Sequence, residues 1–262
     1  MVEKVEKRVR ESDRQVDTVA KALTILNCFS AGEPELSLKA LSEITGLYKS
    51  RIMRLCGTLI AQGFLVKTSR ATYQLGPRVM ILGKIYEESH SLFKSAQPVL
   101  EELVHSTGES AAIFMREGMT RFCVIQKVGP SSLRYSVSEG EPLPLHAGAP
   151  GKVLLAWAPE NIKNRFLEDR VLRKYTSRTI IAKKDLEREL DSIRRRGYAV
   201  SEGEVVQNAV SIAAPIFDHE SNVTYAIHVG GPAQRLTPER QVEILPPLEE
   251  SARRLSFLLG KE

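Results

Sequence analysis

Two short amphipathic segments meeting at Gly46 constrain this 262-residue chain more than any other feature. Ser37 is a good N-cap for the first, Leu38–Thr45, where Leu38, Leu41 and Ile44 share one face. Gly46 closes it. The second spans about 48–62, with Ile52, Leu55, Cys56, Leu59 and Ile60 turned inward, and Gly63 stops it. These apolar stripes can be buried only against each other and against the helical pattern before them. In that pattern Val16, Val19, Ala20, Leu23, Leu26 and Phe29 recur mostly at three- and four-residue steps until Gly32 and Pro34 end it.

The outward face of the second segment carries Lys49, Ser50, Arg51, Met53, Arg54, Gly57 and Thr58. Its charge belongs to a wider pattern. Residues 1–86 hold 14 Lys/Arg against 8 Asp/Glu, and residues 87–262 hold 23 against 24. No acid occurs between Glu43 and Glu87, so a basic, acid-free stretch stands in an otherwise balanced chain, as expected for a polyanion partner. A helix with a polar, basic face has the shape that enters the DNA major groove. Arg51 and Arg54 lie three apart on that face, and either can pair with guanine through two hydrogen bonds. Two strand-like runs follow, at 64–68 and 72–75, with Lys67 and Arg70 about the turn between them. They read as the wing of a winged helix-turn-helix, touching phosphate or minor groove. The same pattern also fits an amphipathic helical hairpin with a solvated basic surface.

Beyond Gly76-Pro77 a helix over 79–91 joins two halves. The second half predicts a helix from 95 to 106, with Pro98 in its first turn. Strands are predicted at 111–116, 121–128, 133–138, 198–200, 211–217 and 223–229, and helices at 161–167, 185–196 and 247–259. Pro246-Pro247 is expected to prevent a smooth run from Glu239. Strands flanked by helices imply an α+β domain on one mainly antiparallel sheet. Apolar residues at 42% and charged residues at 26% exclude wholesale disorder. The longest apolar run, 153–158, is far too short to span a membrane. The first residues lack the apolar core of a signal peptide. Cys28, Cys56 and Cys123 are widely spaced, odd in number and form no C-x-x-C pair, which favours a reducing cytoplasm.

Several segments in register resemble one family. The run from Val16 to Gly83 containing LSLKALSEITGLYKSRIMRLCGTLIAQGFLVK, then PLHAGAPGKVLLA, RRRGYAVSEGEVVQNAVSIAAPIFD and AIHVGGP, is similar to the isocitrate lyase regulator (IclR) family of bacterial transcription factors. The resemblance covers nearly the whole chain. It implies a flexible arm at 1–15, a winged helix-turn-helix at 16–78, a linker and dimerisation helix at 79–92, and an effector-binding domain of GAF-like topology at 93–260. On that pattern Ser37, Lys49, Ser50, Arg51, Met53, Arg54, Thr58, Lys67 and Arg70 bind DNA. The effector, a small carboxylic or aromatic acid, lies between Tyr135, Leu143, Ala149, Pro150 and Val153 on one side and Ser201, Ala209, Ser211, His228 and Gly230 on the other. Amides around 148–151 would form an anion-binding turn, although Pro150 removes one donor. His228 and Gly230 stand where many relatives have small hydroxyl residues; a half-buried strand histidine is the plain alternative for His228. His146 is expected to hold its turn through a backbone hydrogen bond. The implied partners are palindromic double-stranded operator DNA and further copies of the chain, as a dimer or tetramer.

An enzyme is the competing class. Gly151-Lys152 invites a phosphate-loop reading, but that loop needs glycine at 146 and serine or threonine at 153, where this chain has His146 and Val153. Cys123 reads as core, and Glu202 and Glu204 as solvated loop charge. The histidines show no metal-ligand spacing, so neither metal nor cofactor is expected. A third class is a small-molecule sensor whose helical hairpin serves protein association, against which the acid-free basic face argues.

Overall fold

A computed structural model describes residues 16–30, 32–134, 137–169 and 171–261, in two units, Met1–Ser89 and His90–Glu262. The arm expected at 1–15 and the site candidate Tyr135 lie outside the described residues.

In the first unit, α1 (Asp17–Leu26), α2 (Leu38–Thr45) and α3 (Lys49–Ala61) pack around Ile25, Leu41, Ile52, Leu55, Cys56 and Leu59. The Ser37 hydroxyl accepts from the Ala40 amide at 3.1 Å and starts α2. Gly46 ends α2 at φ +68°, with its N–H donating to the Ser42 carbonyl, a left-handed cap that a side chain would strain. The wing has three strands: β1 (Glu35–Leu36), β2 (Leu65–Lys67) and β3 (Tyr73–Leu75), in the order β1-β3-β2. Glu35 on β1 was not expected to pair there; its carboxylate accepts from Thr72 and from Gln74 at 3.0 Å. Helix α4 (Pro77–Ser89) begins two residues earlier than expected, with Pro77 in the first position that suits proline. It buries none of its side chains.

The second unit begins with α5 (Ser91–Thr107) and carries β4 (Ser110–Glu117), β5 (Thr120–Lys127) and β6 (Pro142–Leu143). Next come α6 (Ala149–Ala156), α7 (Glu160–Asp169) and α8 (Lys183–Arg196). Strands β7 (Ala199–Glu202), β8 (Ala209–Phe217) and β9 (Val223–Pro232) precede α9 (Pro238–Leu258). One sheet in the order β6-β5-β4-β9-β8-β7 is antiparallel throughout. Its period-2 alternation feeds two cores. Ala112, Phe114, Cys123 and Ala226 face the layer of α6, α7 and α8; Ile113, Ile125, Ile212 and Val229 face α5 and α9.

Three sequence expectations fail here. Residues 133, 134, 137 and 138 belong to no strand. Helix α5 starts at Ser91, so Pro98 lies in its interior. Helix α9 runs through Pro246 and Pro247 as one element. The carbonyls these prolines leave without an i+4 amide partner belong to the exposed residues Lys94, Val242 and Glu243, where water can satisfy them. Burial of Ile244, Leu248, Ala252 and Leu255 holds α9 continuous.

Candidate functional site

The first unit presents one basic face. With Ile52, Leu55, Cys56 and Leu59 buried, α3 turns Lys49, Ser50, Met53, Arg54 and Thr58 to solvent, and Arg51 is half-buried. Lys67 stands exposed on β2 and Arg70 at the tip of the wing, where the Arg70 amide donates to the Thr68 hydroxyl at 3.2 Å. Ser37 spends its hydroxyl lone pair on the α2 cap. Arg51 carries a contact that sequence reasoning missed: its Nη2 donates to Asp17 Oδ2 at 2.6 Å, 34 residues back in the chain.

In the second unit, a cavity lies between the sheet and the start of α6. Its lining includes Pro150, Ser201, Ala209, Ser211 and His228 of the expected set, with Phe114, Arg121, Gly148, Glu204, Val205, Val206 and Val210 added. Leu143, Ala149, Val153 and Gly230 do not line it. Leu143 borders a separate cavity beside His146, Phe166 and Tyr175. Val153 belongs to the core, and Gly230 is buried in the sheet opposite Ser110 and Ser211. Ala149 acts through its amide, which donates to Ser211 Oγ at 3.4 Å. Ser201 and Ser211 face each other directly across β7 and β8.

Arg121 dominates this cavity and was absent from the expected site. Only 2% of it is exposed, and Nη1 donates to the carbonyls of Pro144 at 2.5 Å and Ala147 at 2.7 Å. Both acceptors are neutral. A Cβ at Gly151 would fall on Nη1, so glycine there makes the guanidinium's seat. Directly opposite Arg121 on β4 stands Arg116, whose Nε is buried with no hydrogen-bond partner among the described residues. Burial holds the Arg116 guanidinium below its usual pKa.

His228 sits next to this charge. Its ring centroid is 5.0 Å from that of Phe114, and Arg121 Cζ lies 5.3 Å from the same ring's centroid. Burial first, and the Arg121 charge second, push the His228 pKa down to about 3. The imidazole is therefore neutral at physiological pH, offering a hydrogen bond rather than a second cation.

Glu204 corrects another expectation, because it is buried rather than solvated. Oε1 accepts from Lys152 Nζ at 2.5 Å, and Oε2 accepts from the Gly148 amide at 3.1 Å. Lys152, 1% exposed, also donates to Glu189 at 3.1 Å and to the Val200 carbonyl at 3.0 Å. All three ammonium donors are thus used. The amides of Gly148 and Ala149, expected to bind a ligand anion, already serve Glu204 and Ser211. His146 Nε2 meets the Arg173 carbonyl at 2.9 Å, tying its turn to the segment after α7. Cys123 is core, its thiol pushed up to about 12, mainly by burial.

The cavity is small, with about 20 Å³ of free space, room for about one water. Glu204, Val205 and Val206 in its wall come from the loop between β7 and β8. Gly203 and Asn208 bracket that loop at φ +69° and +59°. A second cavity of about 470 Å³, lined by Gly203, Gln207 and Asn208 among others, lies on the other side and shares Ala209 and Val210 with the first.

A winged helix-turn-helix with a basic helix, and a second unit enclosing a charged cavity, define a ligand-binding DNA-binding regulator. Residues 18–69 match the IclR helix-turn-helix domain, and residues 85–257 match the bacterial transcriptional regulator IclR C-terminal domain. The chain belongs to the IclR family of bacterial transcriptional regulators; it is a regulator, not an enzyme. It is similar to the transcriptional regulator KipR of Bacillus subtilis, 30% identical over 243 residues, covering 93% of this chain and 97% of that protein. Among solved structures, an IclR-type regulator from a Silicibacter species superposes with a TM-score of 0.89 at 28% identity, over 94% of this chain and 97% of that one. An IclR homologue from Microbacterium hydrocarbonoxydans, solved with 4-hydroxybenzoate, shares the fold at a TM-score of 0.77 and 23% identity, over 93% and 99% of the chains. Among the described residues no helix is long and apolar enough to cross a membrane, and no cluster of metal-ligating side chains occurs.

Proposed function

We propose that this regulator reads a palindromic operator in the cytoplasm as a homodimer or homotetramer, and answers to a small organic acid held at Arg121. For DNA, the supporting observation is the division of α3 into a buried apolar face and a face bearing Lys49, Ser50, Arg51, Met53, Arg54 and Thr58. Lys67 and Arg70 of the wing neutralise phosphate, and Ser37 fixes the start of α2 beside the same surface. Self-association rests on α4, which leaves Met80, Ile81, Leu82, Ile85 and Tyr86 exposed on a helix that buries nothing.

For the effector, the supporting observation is a buried guanidinium seated on neutral carbonyls. Glu204 shares the cavity and is paired with Lys152, while Arg121 brings a buried guanidinium to the same lining, a group that recognises a carboxylate. Ser201, Ser211 and neutral His228 supply hydrogen bonds; Phe114, Pro150, Val205, Val206 and Ala209 supply apolar walls. An aromatic acid of the kind bound by the Microbacterium homologue fits this chemistry. Room for it comes from outward movement of the 203–208 loop, which joins the two cavities.

Two measurements test these halves. Arg51→Ala or Arg54→Ala should weaken binding to the region upstream of the gene by about tenfold or more, as loss of a bidentate base contact does. Lys67→Ala and Arg70→Ala should mainly flatten the salt dependence, by about 0.9 in slope each. No gel shift by the wild-type protein at low salt rejects the DNA reading. In a thermal-shift panel of small carboxylates, at least one acid should stabilise the wild-type protein and leave Arg121→Met unmoved; equal shifts in both reject Arg121 as the anchor.

A further inference from the structure

We propose that Asp17 is a positioning residue for Arg51, presetting its guanidinium for base recognition so that the pair sets sequence discrimination rather than stability. The inference rests on the reading of α3 as the DNA-recognition helix. Asp17 is the first residue of α1, and Arg51 lies in the first turn of α3, the end a helix-turn-helix brings to base edges. The carboxylate is held from two helices: Arg51 Nη2 reaches Oδ2 at 2.6 Å, and Lys21 Nζ reaches Oδ1 at 2.8 Å. Those two cations, Lys21 first, keep the Asp17 carboxyl below its usual pKa, so it stays charged at neutral pH.

Stability does not explain the arrangement. The Asp17 and Arg51 side chains are 64% and 41% exposed, where solvent and salt screen an ion pair almost completely. An acid here also works against phosphate. The fold returns a carboxylate to the face that the sequence keeps free of acid from Glu43 to Glu87. The pairing is selective as well: Lys49 and Arg54, on the same helix, have no carboxylate partner among the described residues. One of five guanidinium donors goes to Asp17, which leaves an edge free for the two acceptors of guanine. Fixing that edge in advance removes rotamer entropy that Arg51 would otherwise lose on binding.

The two roles of the carboxylate predict opposite changes on different DNAs. Full-length protein is titrated by fluorescence anisotropy against two duplexes. One is selected by the wild-type protein from a randomised library, and the other is a scrambled duplex of equal length and composition. Asp17→Asn should lower affinity for the selected duplex by about threefold to tenfold, a partial loss of one bidentate contact. The same variant should raise affinity for the scrambled duplex by about twofold to fivefold, since a negative charge leaves the basic face. In an Arg51→Ala background, Asp17→Asn should cause no further loss on the selected duplex, and Asp17→Glu should recover part of the discrimination. Affinities that rise together make Asp17 a simple repellent. Affinities that fall together with the melting temperature make it structural, and unchanged affinities leave it idle; each overturns the proposal. If Arg51→Ala leaves the ratio of the two affinities unchanged, it is the reading of α3 that fails.

Discussion

Replacing Lys152 with methionine is expected to lower the stability of the second unit by about 3–5 kcal/mol, the cost of leaving a buried carboxylate without its counter-charge. The ammonium of Lys152 is the hub that joins α6 to α8 through Glu189, to β7 through the Val200 carbonyl, and to the 203–208 loop through Glu204. Methionine keeps the volume of the stem and removes only the charge. Glu189 retains Arg196 at 3.1 Å and suffers less, whereas among the described residues the Glu204 carboxylate keeps only the Gly148 amide as a donor. Adding Glu204→Gln to Lys152→Met should therefore recover a large part of the loss, because the uncompensated charge disappears with it. Trp157, the single tryptophan, sits at the end of α6 with its ring 6.0 Å from Phe217 and reports this unit's unfolding by fluorescence in urea. A loss below about 1 kcal/mol, the range of exposed pairs, would contradict the buried network.

The same network shows where sequence reasoning stops. The stops at Gly46 and Gly63 and the burial of Leu41, Ile52, Leu55, Cys56 and Leu59 were legible because each depends on residues close together in the chain. Ile44, Val19 and Leu23, expected on the apolar faces, stand exposed. Glu204 was misread as solvated because its partners, Lys152 and the Gly148 amide, lie more than fifty residues away. Asp17 was overlooked for a similar reason, being counted in the N-terminal charge rather than placed beside Arg51. Arg121 did leave a signal. In β5 burial alternates, and Arg121 occupies an inward position in step with Cys123, so a charged residue stands on the core side of a strand. That is the pattern to seek when a ligand pocket is lined by a sheet. Val153 and Leu143 do not line the cavity because the resemblance named segments, while side-chain direction within each segment decides what faces it. The proline errors in α5 and α9 have an energetic cause: the apolar burial along each helix outweighs the amide bonds that Pro98, Pro246 and Pro247 remove.

His228 should make the second unit acid-sensitive. In the unfolded chain its imidazole titrates at about 6.5, while in the folded protein the pKa lies at about 3, lowered first by burial and then by Arg121. Above pH 6.5 the ring is neutral in both states and contributes no pH dependence. As pH falls below that value the unfolded chain takes up a proton that the folded protein refuses. Stability then declines by about 1.4 kcal/mol per pH unit until the folded pKa is reached. His228→Gln removes the titration and keeps a neutral hydrogen-bonding side chain beside Phe114. Between pH 7.5 and pH 5 the wild-type protein should therefore lose about 2 kcal/mol more than the variant, read from urea midpoints of Trp157 fluorescence. Parallel losses in the two proteins would show that the carboxylates, not His228, govern the acid limb. Arg121→Met separates the two causes: it should reduce the excess loss only in part, since burial remains after the neighbouring charge is gone.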